Sequence, residues 1–147
     1  MIPAAVVYFS DDSAFVQTQS DSLGLLWAEG PVTKVPDATK NNLELGCAVF
    51  DAMRRSRTGV ERGKGIDESV WQPHFKTLGI TNWKKFDRAA QRVTVWTVDE
   101  QIEVMLWSPL DSRGGRTGID ESKIYLNSSA SATEIGDAVL AVLRSFA

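Results

Sequence analysis

Residues 41–56, NNLELGCAVFDAMRRS, and residues 131–146, SATEIGDAVLAVLRSF, align without a gap. Glu44/Glu134, Gly46/Gly136, Ala48/Ala138, Val49/Val139 and Arg54/Arg144 are identical pairs. Leu45, Ala48, Val49, Ala52 and Met53 recur at helical spacing in the first segment, and Ile135, Ala138, Val139, Val142 and Leu143 do so in the second. Both are expected to be amphipathic helices that cover an apolar surface. Asn41 and Ser131 stand at the N-cap, where a side-chain oxygen accepts from first-turn amides. Glu44 and Glu134 follow at the third helical position, able to reach back to the cap N–H. Arg54 and Arg55 suit the negative C-terminal end of the first helix.

A glycine inside a helix costs about 1 kcal/mol relative to alanine. Gly46 and Gly136 at matched places therefore imply a packing requirement, namely close approach to a sheet or to the other helix. Two similar helices doing similar packing is the preferred reading, rather than duplication of the chain.

Outward from these helices the chain reads as strands. Ala4–Phe9 is short and apolar, Asp11-Asp12-Ser13 a turn, and Ala14–Gln19 the returning strand. Leu23–Glu29 is a third strand closed by Gly30-Pro31, with Val32–Val35 a short extension. Thr81 is expected to cap a short helix over Asn82–Ala90, with Trp83, Phe86 and Ala90 on one stripe. Arg92–Val98 and Gln101–Ser108 form a hairpin around Asp99-Glu100, and alternation in the second strand buries Ile102, Val104 and Leu106 while exposing Gln101, Glu103 and Met105. After a loop over Asp111–Gly118, Lys123–Leu126 is the last strand. The fold class is α+β: a mixed, mostly antiparallel sheet with helices packed against it, in one domain over residues 1–147.

Composition limits the function. With 43% apolar and 24% charged residues, the chain is an ordinary globular domain, and no apolar run reaches transmembrane length. Its opening, MIPAAVVYFSDDS, lacks the basic region of a secretory signal. The single Cys47 cannot form an internal disulfide and reads as a small buried hydrophobe, so a reduced, cytoplasmic setting is expected.

Catalytic constellations are thin. One His and one Cys exclude the usual zinc sets, and a nucleophile pair of Cys47 with His74, possible in principle, is disfavoured because Cys47 reads as buried on a helix. There is no nucleophile elbow, phosphate loop or dinucleotide fingerprint, and Arg113-Gly114-Gly115-Arg116 reads as a basic glycine loop. No enzyme activity and no cofactor are expected. A binding role fits better. Acidic residues gather in expected turns, and five tryptophans are many for 147 residues. Trp83 and Trp96 fit core positions, whereas Trp27, Trp71 and Trp107 lie near strand ends or in loops, where tryptophan usually closes the core and otherwise serves as an interface anchor, with Trp71 the first choice. A rival reading uses the basic residues Arg54, Arg55, Arg57, Arg62, Lys64, Lys84, Lys85 and Arg88 to bind nucleic acid, which requires a continuous stripe.

The order of these features resembles that of immunity proteins from bacterial contact-dependent growth inhibition (CDI) systems, the CdiI family. The resemblance runs from Val35 onward and is carried by ELGCAV, by LGITNWKKFDRAAQRVTVW, by a strand pair ending in SPL, and by SSASATEIGDAVLAVL. It implies a non-catalytic cytoplasmic protein that binds one-to-one the C-terminal toxin domain of a CdiA-type effector, commonly a nuclease and often a tRNase. No membrane or nucleic-acid partner is implied. These motifs are packing words, so no binding residue carries over. Charge and expected exposure alone select Asp11, Asp12, Asp67, Glu68, Trp71, Asp111, Asp120 and Glu121 as toxin-binding candidates.

Overall fold

The chain is described by a computed structural model over residues 2–60 and 74–145. Six strands, β1 (Ala4–Ser10), β2 (Ser13–Ser22), β3 (Leu25–Val35), β4 (Gln91–Val98), β5 (Gln101–Leu106) and β6 (Ile124–Asn127), form one sheet in the order β3-β2-β1-β4-β5-β6. All five pairings are antiparallel, so the expected α+β architecture is present with a wholly antiparallel sheet.

Two helices, α1 (Asn42–Arg54) and α3 (Ala132–Ser145), cover one face. They bury Leu45, Val49, Ile135 and Val139 against Ala5, Val7, Val93, Val95 and Val104. The two glycines explain how the helices fit side by side. A Cβ at Gly46 would collide with the Ala132 carbonyl, and one at Gly136 with the Asn42 carbonyl. The close approach inferred from the sequence is thus to the other helix. Ser56, just past α1, ties that end to the sheet: its hydroxyl accepts from Ala4 N at 2.8 Å and lies 2.6 Å from the Gln19 carbonyl, to which it can donate.

The caps differ although their sequences match. Ser131 Oγ accepts from Glu134 N and Ser131 N donates to Glu134, both at 3.2 Å, closing a capping box. Asn41 makes no side-chain cap; its amide nitrogen turns back to the Asp37 carbonyl at 3.1 Å. A tight link from β3, with Asp37 in a left-handed conformation, puts that carbonyl within reach.

The opposite face carries a shorter helix, α2 (Trp83–Ala89). Asn82, not Thr81, caps it, accepting from Lys85 N at 3.1 Å. Phe75, Trp83 and Phe86 pack on Tyr8 and Phe15, with Tyr8 and Trp83 edge to face at 5.4 Å. The expected stripe of Trp83, Phe86 and Ala90 is in that cluster.

Other expectations are corrected. Leu25–Val35 is one strand, its register shifting opposite Gln17/Thr18 where Gly30-Pro31 interrupts the pairing; at the sheet edge, proline's missing N–H is tolerated. Cys47 is exposed, because its position on α1 points away from the stripe of Leu45, Val49 and Ala52. Trp96 is only half-buried, on the α2 side of the sheet rather than in the helix-covered core. Glu103 and Met105 are buried, so β5 is covered on both faces. The Asp99-Glu100 turn forms without glycine by holding both residues at positive φ, 48° and 63°.

Candidate functional site

Antiparallel pairing brings most of the acidic candidates to one end of the sheet. Ser10 leads out of β1, Gln91 begins β4 beside Phe9, Leu106 ends β5 beside Val93, and the turn at Asp120–Ser122 leads into β6. Asp11 and Asp12, Asp111, and Asp120 with Glu121 are therefore exposed at the same edge. From β1 to β6 this edge is about 14 Å wide, three inter-strand spacings. Asp37, between β3 and α1, is exposed there too, and Ala38 N donates to the Asp12 carbonyl at 2.8 Å. Its position between a strand and a helix start was readable, but as a lone acid it formed no sequence cluster. Asp67, Glu68 and Trp71 lie outside the described residues.

The candidates differ in what their carboxylates do. Asp111 accepts from the amides of Gly115 and Arg113, each at 2.8 Å, and these bonds hold its acid below the ordinary range. The glycine loop thus points its amides at its own aspartate rather than at an external anion. Arg116 in the same loop is buried. Its guanidinium donates to the carbonyls of Ser108 and Ala90, at 3.1 and 3.0 Å, and to Asp87 Oδ1 at 3.0 Å, fastening the loop to α2. Asp11 and Asp12 sit on a tight turn, with Asp11 at φ 54°.

Asp120 leads to a second cluster, on the sheet face opposite α1 and α3. Lys123 Nζ lies 3.0 Å from Asp120 and 3.3 Å from Glu103. Glu103 also accepts from Tyr125 OH at 3.1 Å and from Trp96 Nε1. Trp96 stands edge to face with Trp107 at 6.3 Å, and the Arg92 guanidinium lies 4.8 Å over the Trp107 ring. Trp107 Nε1 donates to Thr94 Oγ1 at 2.8 Å. The Tyr125 phenol holds its proton above the ordinary range, chiefly through its bond to Glu103. Alternation along β5 assigns Glu103 to solvent, and nothing in the sequence singles out Tyr125. The available signal was that Trp96, Glu103 and Tyr125 fall in one cross-strand row, which only the register reveals.

The rival basic stripe does not assemble among the described residues. Arg54 and Arg55 end α1 near Ala4 and Gln19, whereas Lys84, Lys85 and Arg88 lie on α2 at the opposite end of the sheet. Arg57 is engaged by Glu29 at 2.9 and 3.1 Å, and Arg62 and Lys64 lie outside the described residues. Cys47 and His74 belong to segments on opposite faces of the sheet, so they form no nucleophile pair. Among the described residues no group of three His, Cys, Asp or Glu is placed to hold a metal, and no helix is long and apolar enough to cross a membrane.

Solved structures of other proteins share the fold. A protein of unknown function from Neisseria meningitidis superposes with a TM-score of 0.75 at 20% identity, covering 95% of this chain and 92% of that one. A chain from a CdiA-CT/CdiI toxin and immunity complex of Yersinia pseudotuberculosis superposes with a TM-score of 0.68 at 16% identity, covering 95% and 94%. Among curated proteins none matches the chain. The family model CdiI, described as CDI immunity protein, matches residues 4–145, from the first residue of β1 to the last of α3. On that match across the whole sheet and both covering helices, the chain belongs to the CDI immunity protein family.

Proposed function

We propose that this protein binds and neutralises, one-to-one and in the cytoplasm, the C-terminal toxin domain of a CdiA-type effector. The observation that carries the reading is the family match over residues 4–145. The likeness to a chain from a toxin–immunity complex supports it at the level of fold. The protein acts by occupying the toxin, not by catalysis, and uses no cofactor and no nucleic acid.

We further propose that the toxin is a nuclease, with a tRNase as the specific case. Support comes from the exposed edge bearing Asp11, Asp12, Asp37, Asp120 and Glu121. Carboxylates on short, sheet-anchored turns complement a basic, phosphate-binding surface and speed its capture. Asp67, Glu68 and Trp71 remain proposed contacts of the same interface. Asp111 contributes by shaping its loop, since its carboxylate is already committed to two amides.

Growth protection tests the reading. Cells expressing the toxin domain encoded immediately upstream should survive when this chain is co-produced, and their tRNA should remain intact. Growth arrest despite soluble, folded protein would sink the immunity assignment. Protection from a toxin that leaves nucleic acids untouched would sink only the nuclease assignment.

A further inference from the structure

Tyr125 is an exposed aromatic residue on the sheet itself. It is 51% exposed although it lies in a strand, on the face opposite α1 and α3. Its phenol is held by Glu103, which is only 4% exposed and which also receives Trp96 Nε1 and Lys123. One buried carboxylate thus fixes the tip of an exposed aromatic ring and two of the side chains around it. An aromatic side chain fixed in advance loses little rotamer freedom on binding, which is the property of an interface anchor.

The surroundings say what kind of partner fits. Asp120 and Glu121 are exposed where the chain enters β6, and Lys123 is already neutralised between Asp120 and Glu103. The charges acting on the ring, Glu103, Asp120 and Lys123, sum to a negative value. A second copy docking here would bring acidic rim against acidic rim, whereas a basic protein surface would meet carboxylates and an open aromatic face that attracts Lys or Arg.

We propose that Tyr125, positioned by Glu103, is an anchor residue of the toxin interface and receives a basic side chain of the toxin domain. The proposal rests on the toxin-binding reading above and adds the face, the residue and the chemistry of the contact.

The test is calorimetric titration of the upstream-encoded toxin domain, carrying an inactivating substitution, into this protein and its variants. Binding by the unsubstituted chain comes first; its absence would remove the toxin-binding reading itself and this proposal with it. Given binding, Tyr125→Ala should weaken affinity by about 30-fold or more, the scale of a hot-spot residue. Tyr125→Phe, which keeps the ring but loses the bond to Glu103 that fixes it, should weaken binding too, though by less than Tyr125→Ala. Glu121→Lys should weaken binding as well, and Phe50→Ala, on α1 across the sheet, should not. Unchanged affinity in Tyr125→Ala would overturn the proposal. Tighter binding by Glu121→Lys would overturn the basic partner surface, and self-association of the free protein that Tyr125→Ala abolishes would assign the face to a second copy instead.

Discussion

Gly46 and Gly136 lie back to back where α1 meets α3: a Cβ on Gly46 would stand 3.1 Å from Gly136 N, and one on Gly136 would stand 3.2 Å from Gly46 N. Each would also drive into a backbone carbonyl of the facing helix, which cannot move aside as a flexible side chain can. Gly46→Ala and Gly136→Ala should each destabilise by about 1–3 kcal/mol in urea unfolding, overriding alanine's better helix propensity. The double variant should be less destabilised than the sum, because one separation of the helices relieves both clashes.

Arg116 should be the costliest polar residue to replace. Its side chain is 3% exposed and donates to three carbonyls, those of Ser108, Asp87 and Ala90, as well as to the Asp87 carboxylate. Arg116→Met should lose about 1–3 kcal/mol, as expected when buried carbonyl acceptors are left without their donor. Arg116→Lys should recover little, because an ammonium cannot span the same acceptors as a planar guanidinium. Unfolding curves of both variants check this.

Acid should weaken the fold through two carboxyls in particular. The Arg57 hydrogen bond holds Glu29 below its ordinary value, and the Gly115 and Arg113 amides hold Asp111 below its own. A depressed carboxyl stabilises the fold above its unfolded pKa, and that contribution fades as pH falls through the folded value. The melting temperature should therefore hold steady near neutral pH and fall at pH values below the ordinary 4.5 of Glu and 3.8 of Asp. Glu29→Gln and Asp111→Asn should each flatten part of that fall, as a pH series of melts would reveal.

Much of this architecture was legible because its signals are local. Helical spacing located α1 and α3, the paired glycines announced a close contact, and alternating strands around Asp99-Glu100 gave the hairpin. Cys47 was legible and misread: the spacing that buries Leu45, Val49 and Ala52 already turned it outward, but the usual burial of cysteine was given more weight. Asn41 was not legible, since whether a cap residue bonds forward or backward depends on where Asp37 places its carbonyl. Glu103 was not legible either. Its partners Trp96, Lys123 and Tyr125 come from three places in sequence, and period-two alternation marks any such polar residue as solvent-facing. Of the site, the turns carrying the acids were readable, but their convergence on one edge is a property of the strand order.

The acidic edge should act chiefly on association. Asp11→Asn with Asp12→Asn should slow toxin capture by roughly two- to fivefold at low salt and much less at high salt, because exposed charges steer encounters and are screened. Asp111→Asn should affect folding more than capture, given its two amide bonds. Stopped-flow association at two salt concentrations separates these behaviours; an unchanged rate in the Asp11/Asp12 variant would remove the acidic turns from the interface.

Neutralisation by tight holding requires that the toxin domain and this chain form a stable complex on their own. Calorimetric titration of the unsubstituted protein with the inactivated toxin domain encoded immediately upstream tests it most directly. One toxin domain should bind per immunity protein at nanomolar affinity or tighter. A titration showing no binding, with both proteins folded, would contradict it.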